Sequence, residues 1–167
     1  MPAIERLRLD HGAALLVFEQ ENRGYFTASI SDRGDDYFTH FDERLSSLLD
    51  EQATGRCHFH VLVGGAGEIV GRVNLFDVVD GSADLGFRIA EKAAGQGLAT
   101  AAVREVCALA GTDYGLTSLR AAAADGNPGS RAVLAHSGFV PTGEQVRLGS
   151  RQGHRYLLRL AGSASDG

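Results

Sequence analysis

Lysine is nearly missing from this chain: Lys92 stands alone among 167 residues, and the net charge is −5 with an isoelectric point near 5.6. Without a basic stripe a protein cannot neutralise a row of phosphates, so nucleic acid is not expected as a partner. The mild acidity favours a cationic partner such as an amine, as a weak long-range bias. Cysteine is scarce too. Cys57 and Cys107 fall in apolar surroundings, one in an expected strand and one in an expected helix, and read as reduced core thiols, not as a disulfide framework. Apolar runs stay far below the ~20 residues that a membrane span needs, so no membrane partner is expected. No basic segment followed by an apolar stretch opens the chain. A secretory signal is therefore not expected, and a cytoplasmic location follows.

The hydrophobic fraction of 44% and the charged fraction of 22% are those of an ordinary soluble globular protein. The length suits one domain, here residues 1–160, able to bury roughly 70% of its unfolded surface. Residues 161–167 carry almost no apolar content and read as a frayed, flexible tail.

Hydrophobic periodicity places the elements. Residues 4–9 alternate and read as a first strand. Asp10 then suits the cap of a helix whose apolar positions Ala13, Leu16, Val17 and Phe18 recur at helical spacing. Residues 24–36 hold Gly24, Ser29, Ser31, Asp32 and Gly34 and read as loop with short helical turns. A longer helix follows, in which Tyr37, Phe38, Phe41, Leu45, Leu48 and Leu49 step by three and four, from Asp35 or Asp36 to Gly55. The period then changes to two. CHFHVLV (57–63) alternates, Gly64-Gly65 supplies a hairpin turn, and EIVGRVNLFDVV (68–79) returns. A turn at Asp80-Gly81 leads into the strand ADLGFRIA (83–90). After a glycine-spaced loop comes a helix with Leu98, Ala102, Val106 and Leu109 on one face. TSLRAAAA (117–124) is the next strand. Asn127-Pro128 opens a short helix through Ser137, and Gly138 ends it. Residues 139–148 and 154–160 pair as a last hairpin across 149–153. The order β-α-α-β-β-β-α-β-α-β-β makes an α+β layer fold with a mixed sheet.

The stretch 83–100, ADLGFRIAEKAAGQGLAT, carries the chemistry. A strand runs into a loop with Gly95 and Gly97, and the loop runs straight into an alanine-rich helix. Bare glycines let backbone N–H groups close on a ligand's oxygens. The helix start leaves four N–H groups without intrahelical partners and carries about half a positive charge. Together they make a seat for a phosphate or pyrophosphate, and so for a nucleotide-bearing cofactor. The plainer reading is that the two glycines only permit a tight connection.

KAAGQGLA (92–99) resembles the acyl-CoA loop of the GNAT superfamily of N-acetyltransferases, usually written Gln/Arg-x-x-Gly-x-Gly/Ala. Its slots here are Lys92, Ala93, Ala94, Gly95, Gln96 and Gly97. NPGSRAVLAHSGF (127–139) matches a second signature through Asn127, Ser130 and Gly138-Phe139. The two motifs stand ~30 residues apart in the right order, and the resemblance extends from the first strand to Leu160. Within the superfamily the chain is most similar to the Rim-type branch, which acetylates N-terminal amines of ribosomal proteins and includes enzymes for small amines and antibiotics.

The resemblance implies a three-layer fold, with a central twisted mixed sheet of six to seven strands and helices on both faces. It implies acetyl-CoA, without a metal, in a cleft where strands 83–90 and 117–124 splay apart. The pantetheine amides would pair with the backbone of Phe87, Arg88 and Ile89 like an added strand. Gly95, Gln96, Gly97, Leu98, Ala99 and Thr100 would hold the pyrophosphate, with Lys92 in the family's Gln/Arg slot. A backbone N–H near Ile89 would polarise the thioester carbonyl and stabilise the oxyanion of the tetrahedral intermediate. Asn127 and Ser130 would lie beside the pantetheine and thiol. Arg131 or Arg104 would reach the 3′-phosphate.

Departures from the family pattern bear on the chemistry. The arginine often found before the first glycine is Ala94, so phosphate binding leans on backbone and helix dipole. The tyrosine that many relatives use as general acid is replaced by Leu134, and a glutamate base of some relatives by Ala122. Ser130 is the remaining candidate acid, although a thiolate of pKa near 8.5 leaves tolerably without one. For the base, Asp84 acting through a water is preferred, because alternation puts it on one face with Gly86 and Arg88. Glu19, Glu21 and His60 are alternatives, as is proximity with no base at all. Each residue also has a plain reading. Asn127 is a good helix cap, Ser130 a first-turn residue, Glu19 and Glu21 solvated helix-end charges. His58 and His60 share a half-exposed strand face and lack an evident third metal ligand.

The acceptor is not named by the sequence: a peptide N-terminus, a ribosomal protein's included, a polyamine, an amino acid or a drug all remain. So do monomer and homodimer, the last hairpin offering an edge. An acyl-CoA sensor without chemistry is the alternative from the binding class. A dinucleotide oxidoreductase is disfavoured, because Thr100 occupies the third glycine position of G-x-G-x-x-G and ~80 residues precede the loop. No Gly-Lys-Ser/Thr occurs, which excludes a Walker-type nucleotidase.

Overall fold

A seven-stranded sheet in the order β1-β2-β3-β4-β5-β7-β6 organises the chain. The computed structural model describes residues 2–28 and 30–160, so the tail expected to fray lies outside the described residues. The elements are β1 (Ala3–Arg6), α1 (Gly12–Glu21), α2 (Arg23–Thr27), α3 (Asp35–Thr39), α4 (Phe41–Ala53), β2 (His58–Val63), β3 (Ile69–Val79) and β4 (Ser82–Ile89). They continue as α5 (Leu98–Thr112), β5 (Ser118–Ala124), α6 (Pro128–His136), β6 (Val140–Leu148) and β7 (Arg151–Arg159). All neighbouring strands are antiparallel except β4 and β5, which run parallel through the α5 crossover. The sheet is therefore mixed and lies between helical layers, as expected.

Each face is sealed by its own apolar set. Leu15 and Phe18 of α1, Tyr37 of α3, and Phe41 and Leu45 of α4 close over Phe59 and Val61 of β2. On the other face Ala102, Val103, Val106 and Ala110 of α5 meet Val73, Leu75, Ala83 and Leu119, with Leu134 of α6 completing the layer. Small residues on α5 let the helix axis sit close to the sheet, which fixes its N-terminus beside the end of β4. At the β3–β4 turn, Asp80 and Gly81 both take positive φ (51° and 79°), the two-residue geometry whose twist matches antiparallel strands.

Several local expectations change. Asp10 does not cap α1; it lies in a 3-10 turn over Leu9–His11 and pairs with Arg8. Ala13 and Val17 are exposed, and the inward face of α1 is Leu15, Phe18 and Glu19. The run is apolar all round, so spacing alone could not choose the face. The single helix expected over 35–55 is two, broken at His40, with Tyr37 and Phe41 packed edge to face across the break at 5.7 Å. The β2–β3 connection is a five-residue loop, closed by the Gly64 N–H donating to the Glu68 carbonyl at 2.7 Å, and Gly67 takes the positive φ. The last hairpin turns at Gly149-Ser150, so β7 begins earlier than expected, at Arg151.

His58 and His60 are buried, not half-exposed. They project toward α5, where the His58 ring stacks on Tyr114 with centroids 3.7 Å apart. The His60 Nδ1–H donates to the Val73 carbonyl (3.1 Å), which leaves Nε2 to accept from the Tyr114 hydroxyl (2.7 Å). Among the described residues no cluster of three metal-ligating side chains occurs.

Burial pushes the His60 imidazole down to about 4. The unfolded chain then binds the proton first, so stability is full above pH ~6.5 and falls as the pH drops toward 4. The loss amounts to about 3 kcal/mol over that window. Urea unfolding at pH 7.5 and pH 5 should show about 2 kcal/mol of it, and His60→Gln should flatten the slope. An equal slope in the variant would remove His60 as its source.

Candidate active site

β4 and β5 stay together for only three residue pairs: Ser82 with Ser118, Ala83 with Leu119, and Asp84 with Arg120. Beyond Asp84 they part. β4 remains paired to β3 as far as Ile89, and β5 to β7 as far as Ala124, so each strand keeps one satisfied edge. The Ala90 N–H donates to the Val70 carbonyl at 2.8 Å. Antiparallel alternation therefore directs the backbone of Arg88 and Gly86 to β3, and that of Phe87 and Ile89 into the gap. A cleft of about 470 Å³ opens there, with Phe87, Arg88, Ile89, Asn127 and Ser130 in its walls. The expected splay between these two strands is present. Of Phe87, Arg88 and Ile89, however, only the first and last offer main-chain groups to it.

The glycine loop closes one end of this cleft. After a 3-10 turn over Glu91–Ala93, Gly95 and Gly97 take φ of 76° and 75°, and α5 starts at Leu98. A Cβ at either glycine would meet nothing within 4 Å, so it is the left-handed backbone that demands glycine there, not crowding. No side chain caps α5. Its first intrahelical bond runs from the Ala101 N–H to the Gly97 carbonyl, and among the described residues the amides of Gly95 to Thr100 donate to no group outside the helix. Gly95, Gly97, Leu98, Ala99 and Thr100 line the cleft. A helix of 15 residues thus aims its positive end and free N–H groups into it.

The charged residues expected there stand apart. Lys92 is exposed and outside the cleft walls, and its carbonyl accepts from the Gln96 side chain at 3.4 Å. Arg131 donates to the Asp125 carbonyl, and Arg104 to that of His136. On α6 the Asn127 Oδ1 accepts from the Ser130 N–H at 3.1 Å, a helix cap that also fixes both residues on the wall. Among the described residues the Ser130 hydroxyl has no hydrogen-bond partner.

None of the candidate bases lines the cleft. Asp84 lies at the last parallel pair, the closed end of the gap, and the Arg120 Nε–H donates to its carboxylate at 2.8 Å. His60 lies on the opposite sheet face. Glu21 is exposed at the end of α1. Glu19 is the surprise: it is 1% exposed, and Arg33 (2.9 Å), Arg72 (2.8 Å) and Arg88 (3.0 Å) converge on it. Burial pushes its carboxyl up, but the arginines outweigh burial and hold it below the usual carboxylate range. It is a fixed anion, not the solvated charge expected and not a proton acceptor at neutral pH. Burial also pushes the Arg88 guanidinium down to about 10. Sequence reading missed this hub. Its signal was present in two arginines, Arg72 and Arg88, placed in otherwise apolar strands and directly opposite one another.

The cleft is bridged above. Arg151 of the last hairpin donates to the Ala28 carbonyl after α2 at 2.9 Å, and Tyr25, Phe26 and Ile30 continue the wall. Removing the hub's carboxylate leaves buried guanidinium groups without a countercharge, which costs about 3–5 kcal/mol. Glu19→Gln should lower the urea midpoint by a corresponding amount, and an unchanged midpoint would show the hub to be energetically neutral.

Residues 4–140 match the family described as Acetyltransferase (GNAT) domain. Among curated proteins, none matches the sequence. Solved structures do. The ribosomal-protein-S5-alanine acetyltransferase of Vibrio fischeri superposes with a TM-score of 0.88 at 17% identity, covering 95% of this chain and 92% of that one. RimJ of Mycobacterium smegmatis, solved with CoA-disulfide, gives 0.83 at 25% identity over 98% of this chain and 82% of its own. The spermidine N-acetyltransferase of Vibrio cholerae, solved with CoA and spermine, gives 0.78 at 17% identity over 96% of both chains. Parted strands, a glycine loop at a helix start and a family match over most of the length agree: the chain belongs to the GNAT acetyltransferases, with Rim-type enzymes among its structural relatives.

Proposed function

We propose that this chain transfers the acetyl group of acetyl-CoA to a primary α-amine by direct attack, with both substrates bound together. The parted strands β4 and β5, ending at the free amides of the α5 start, carry this reading. The residues fit the donor. Open space at Gly95 and Gly97, and N–H groups from Gly95 to Thr100, suit a diphosphate, and the backbone of Phe87 and Ile89 suits the pantetheine amides. Bound there, acetyl-CoA supplies an activated acetyl carbon: the amine nitrogen bonds to it, the carbon–sulfur bond breaks, and the amine proton leaves to solvent or to the departing thiolate.

The chain's own residues then have distinct tasks. The Ile89 N–H faces the gap and polarises the acetyl carbonyl. Asn127 holds the first turn of α6, and with it the Ser130 hydroxyl, which is free to donate to the sulfur. The side chains of Lys92, Gln96 and Arg131 make no direct contact with the donor, and Gln96 contributes through its backbone N–H. A dedicated base is not required. Arg33, Arg72 and Arg88 outnumber Glu19, and an excess of positive charge favours the neutral form of a nearby amine. An α-amine with pKa about 8 needs little such help, a lysine side chain much more. Asp84 is assigned to structure, because Arg120 occupies its carboxylate.

The non-catalytic sensor is the second reading, favoured by Ala122 and by the fully buried Leu134 where relatives carry acid–base groups. Release of free thiol from acetyl-CoA with peptides of N-terminal Ala, Ser or Met separates the two. Turnover supports transfer, and tight binding without turnover on any amine supports the sensor. Gly97→Glu puts an L-residue and a negative charge at the helix start. The Kd for acetyl-CoA should rise about 100-fold, ~2.8 kcal/mol, at unchanged circular dichroism, and an unchanged Kd would remove the diphosphate from this loop. Ser130→Ala should lower kcat about 10-fold with the KM for acetyl-CoA little changed. An unaltered kcat would show that the thiolate leaves unaided.

A further inference from the structure

Four alanines end β5, and alternation divides them between the two faces of the sheet. Ala121 and Ala123 belong to the core against α5. Ala122 and Ala124 turn to the other face and project no further than a Cβ. A cavity of about 260 Å³ lies there, closed by Ile30 and Ser31 before α3, by the α6 start, and by Leu148 and Gly149 at the tip of the last hairpin. The hairpin comes this close because Gly153 stands opposite Ala124: a Cβ at Gly153 would lie 2.5 Å from the Ala123 carbonyl oxygen and 2.9 Å from Leu148. A Cβ at Gly149 would likewise come within 2.9 Å of the Ser31 hydroxyl, and the Arg151–Ala28 bond holds this roof in place.

Two features say what the cavity takes. Ile30, Asn127 and Ser130 stand both in its wall and in that of the donor cleft, so the two spaces adjoin at the residues beside the thiol. Among the described residues no lining side chain carries a charge. Arg155, opposite Ala122 on β7, turns instead to Asp84 (4.0 Å) and Glu144 (3.2 Å). Apart from Ser31, Asn127 and Ser130 the lining is aliphatic or glycine, and the Asn127 Oδ1 already accepts from the Ser130 N–H. A carboxylate placed here would lose its water without gaining a countercharge, whereas a hydrocarbon chain is favoured by leaving water.

Resting on the acetyl-transfer reading above, we propose that this cavity is an acyl-chain pocket, and that the protein takes longer straight-chain acyl-CoA donors beside acetyl-CoA. At roughly 30 Å³ per methylene-sized group, about the share of one water, the space suits acyl groups of about four to six carbons. The step is the same: the amine nitrogen bonds to the acyl carbonyl carbon, the carbon–sulfur bond breaks, and the amine proton leaves to solvent or to the thiolate. The methylenes beyond the carbonyl pass Ser130 and lie over Ala122 and Ala124. The position at which some relatives carry a glutamate is thus the one whose small residue opens the pocket.

Calorimetry with acetyl-, butyryl- and succinyl-CoA tests the pocket apart from turnover. Each methylene moved from water into it strengthens binding about fourfold, so butyryl-CoA should bind about 10-fold more tightly than acetyl-CoA, and succinyl-CoA no better than acetyl-CoA. Thiol release with an N-terminal alanyl peptide should proceed with butyryl- and hexanoyl-CoA at a kcat/KM no lower than with acetyl-CoA. Ala122 lines the pocket and not the cleft. Ala122→Leu should therefore weaken butyryl-CoA binding about 10-fold and leave the Kd for acetyl-CoA within about twofold. Leu148→Ala enlarges the pocket from the hairpin side and should extend tight binding to octanoyl-CoA. Equal affinity for acetyl- and butyryl-CoA, or an Ala122→Leu effect on both alike, overturns the pocket while acetyl transfer stands. Binding that strengthens with chain length, without turnover on any amine, keeps the pocket and overturns the acetyl-transfer reading.

Discussion

A parallel pair of strands that separates after three residues exposes main-chain groups that neither strand can satisfy alone, and this constraint organises the whole chain. The gap persists because each strand is held from its far side, β4 by β3 and β5 by the last hairpin. The α5 crossover packs small residues on the sheet and fixes a helix start at the mouth of the gap. The donors of the cleft are amides, placed by strand alternation at Phe87 and Ile89 and by helix geometry at Leu98 to Thr100. That is why the loss of the arginine before Gly95 and of any useful role for Lys92 does not empty the site of its binding chemistry.

The wall beside Arg88 works by a different principle. Glu19 is taken out of water at the inward face of α1 and is tolerable there only because Arg33, Arg72 and Arg88 meet it. The cluster ties α1, the segment before α3, β3 and β4 into one unit, and its charge does not cancel. A site with surplus positive charge is a poor host for a cation and a good one for a neutral amine. The net acidity of the chain and the local charge of the three arginines around Glu19 thus point in opposite directions.

Much of the frame was legible in the sequence. Period-two runs, the Asp80-Gly81 turn, the glycine loop and the Asn127-Pro128 helix start are governed by local chemistry, and each appears where local chemistry puts it. What failed were choices that only tertiary contacts make. The apolar run of α1 has no polar face to mark its outside, and two of the three partners of Glu19 lie on β3 and β4, far along the chain. His40 breaks one helix into two without any proline or glycine to announce it. His58 and His60 are buried because Tyr114, distant in sequence, supplies both a stacking ring and a hydroxyl. Asp84 was expected on the correct face, but its ion pair with Arg120 depends on the register of the parallel pair, which periodicity does not fix.

The lone lysine acquires a meaning from this architecture. An acetyltransferase exposes its own surface to a reactive acyl donor at high local concentration, and every unprotonated side-chain amine nearby is a competitor for the intended acceptor. Here arginine fills the positive positions, and a guanidinium stays protonated and does not take up acyl groups at neutral pH. Self-modification is left with one side chain, on an exposed turn outside the walls of the cleft.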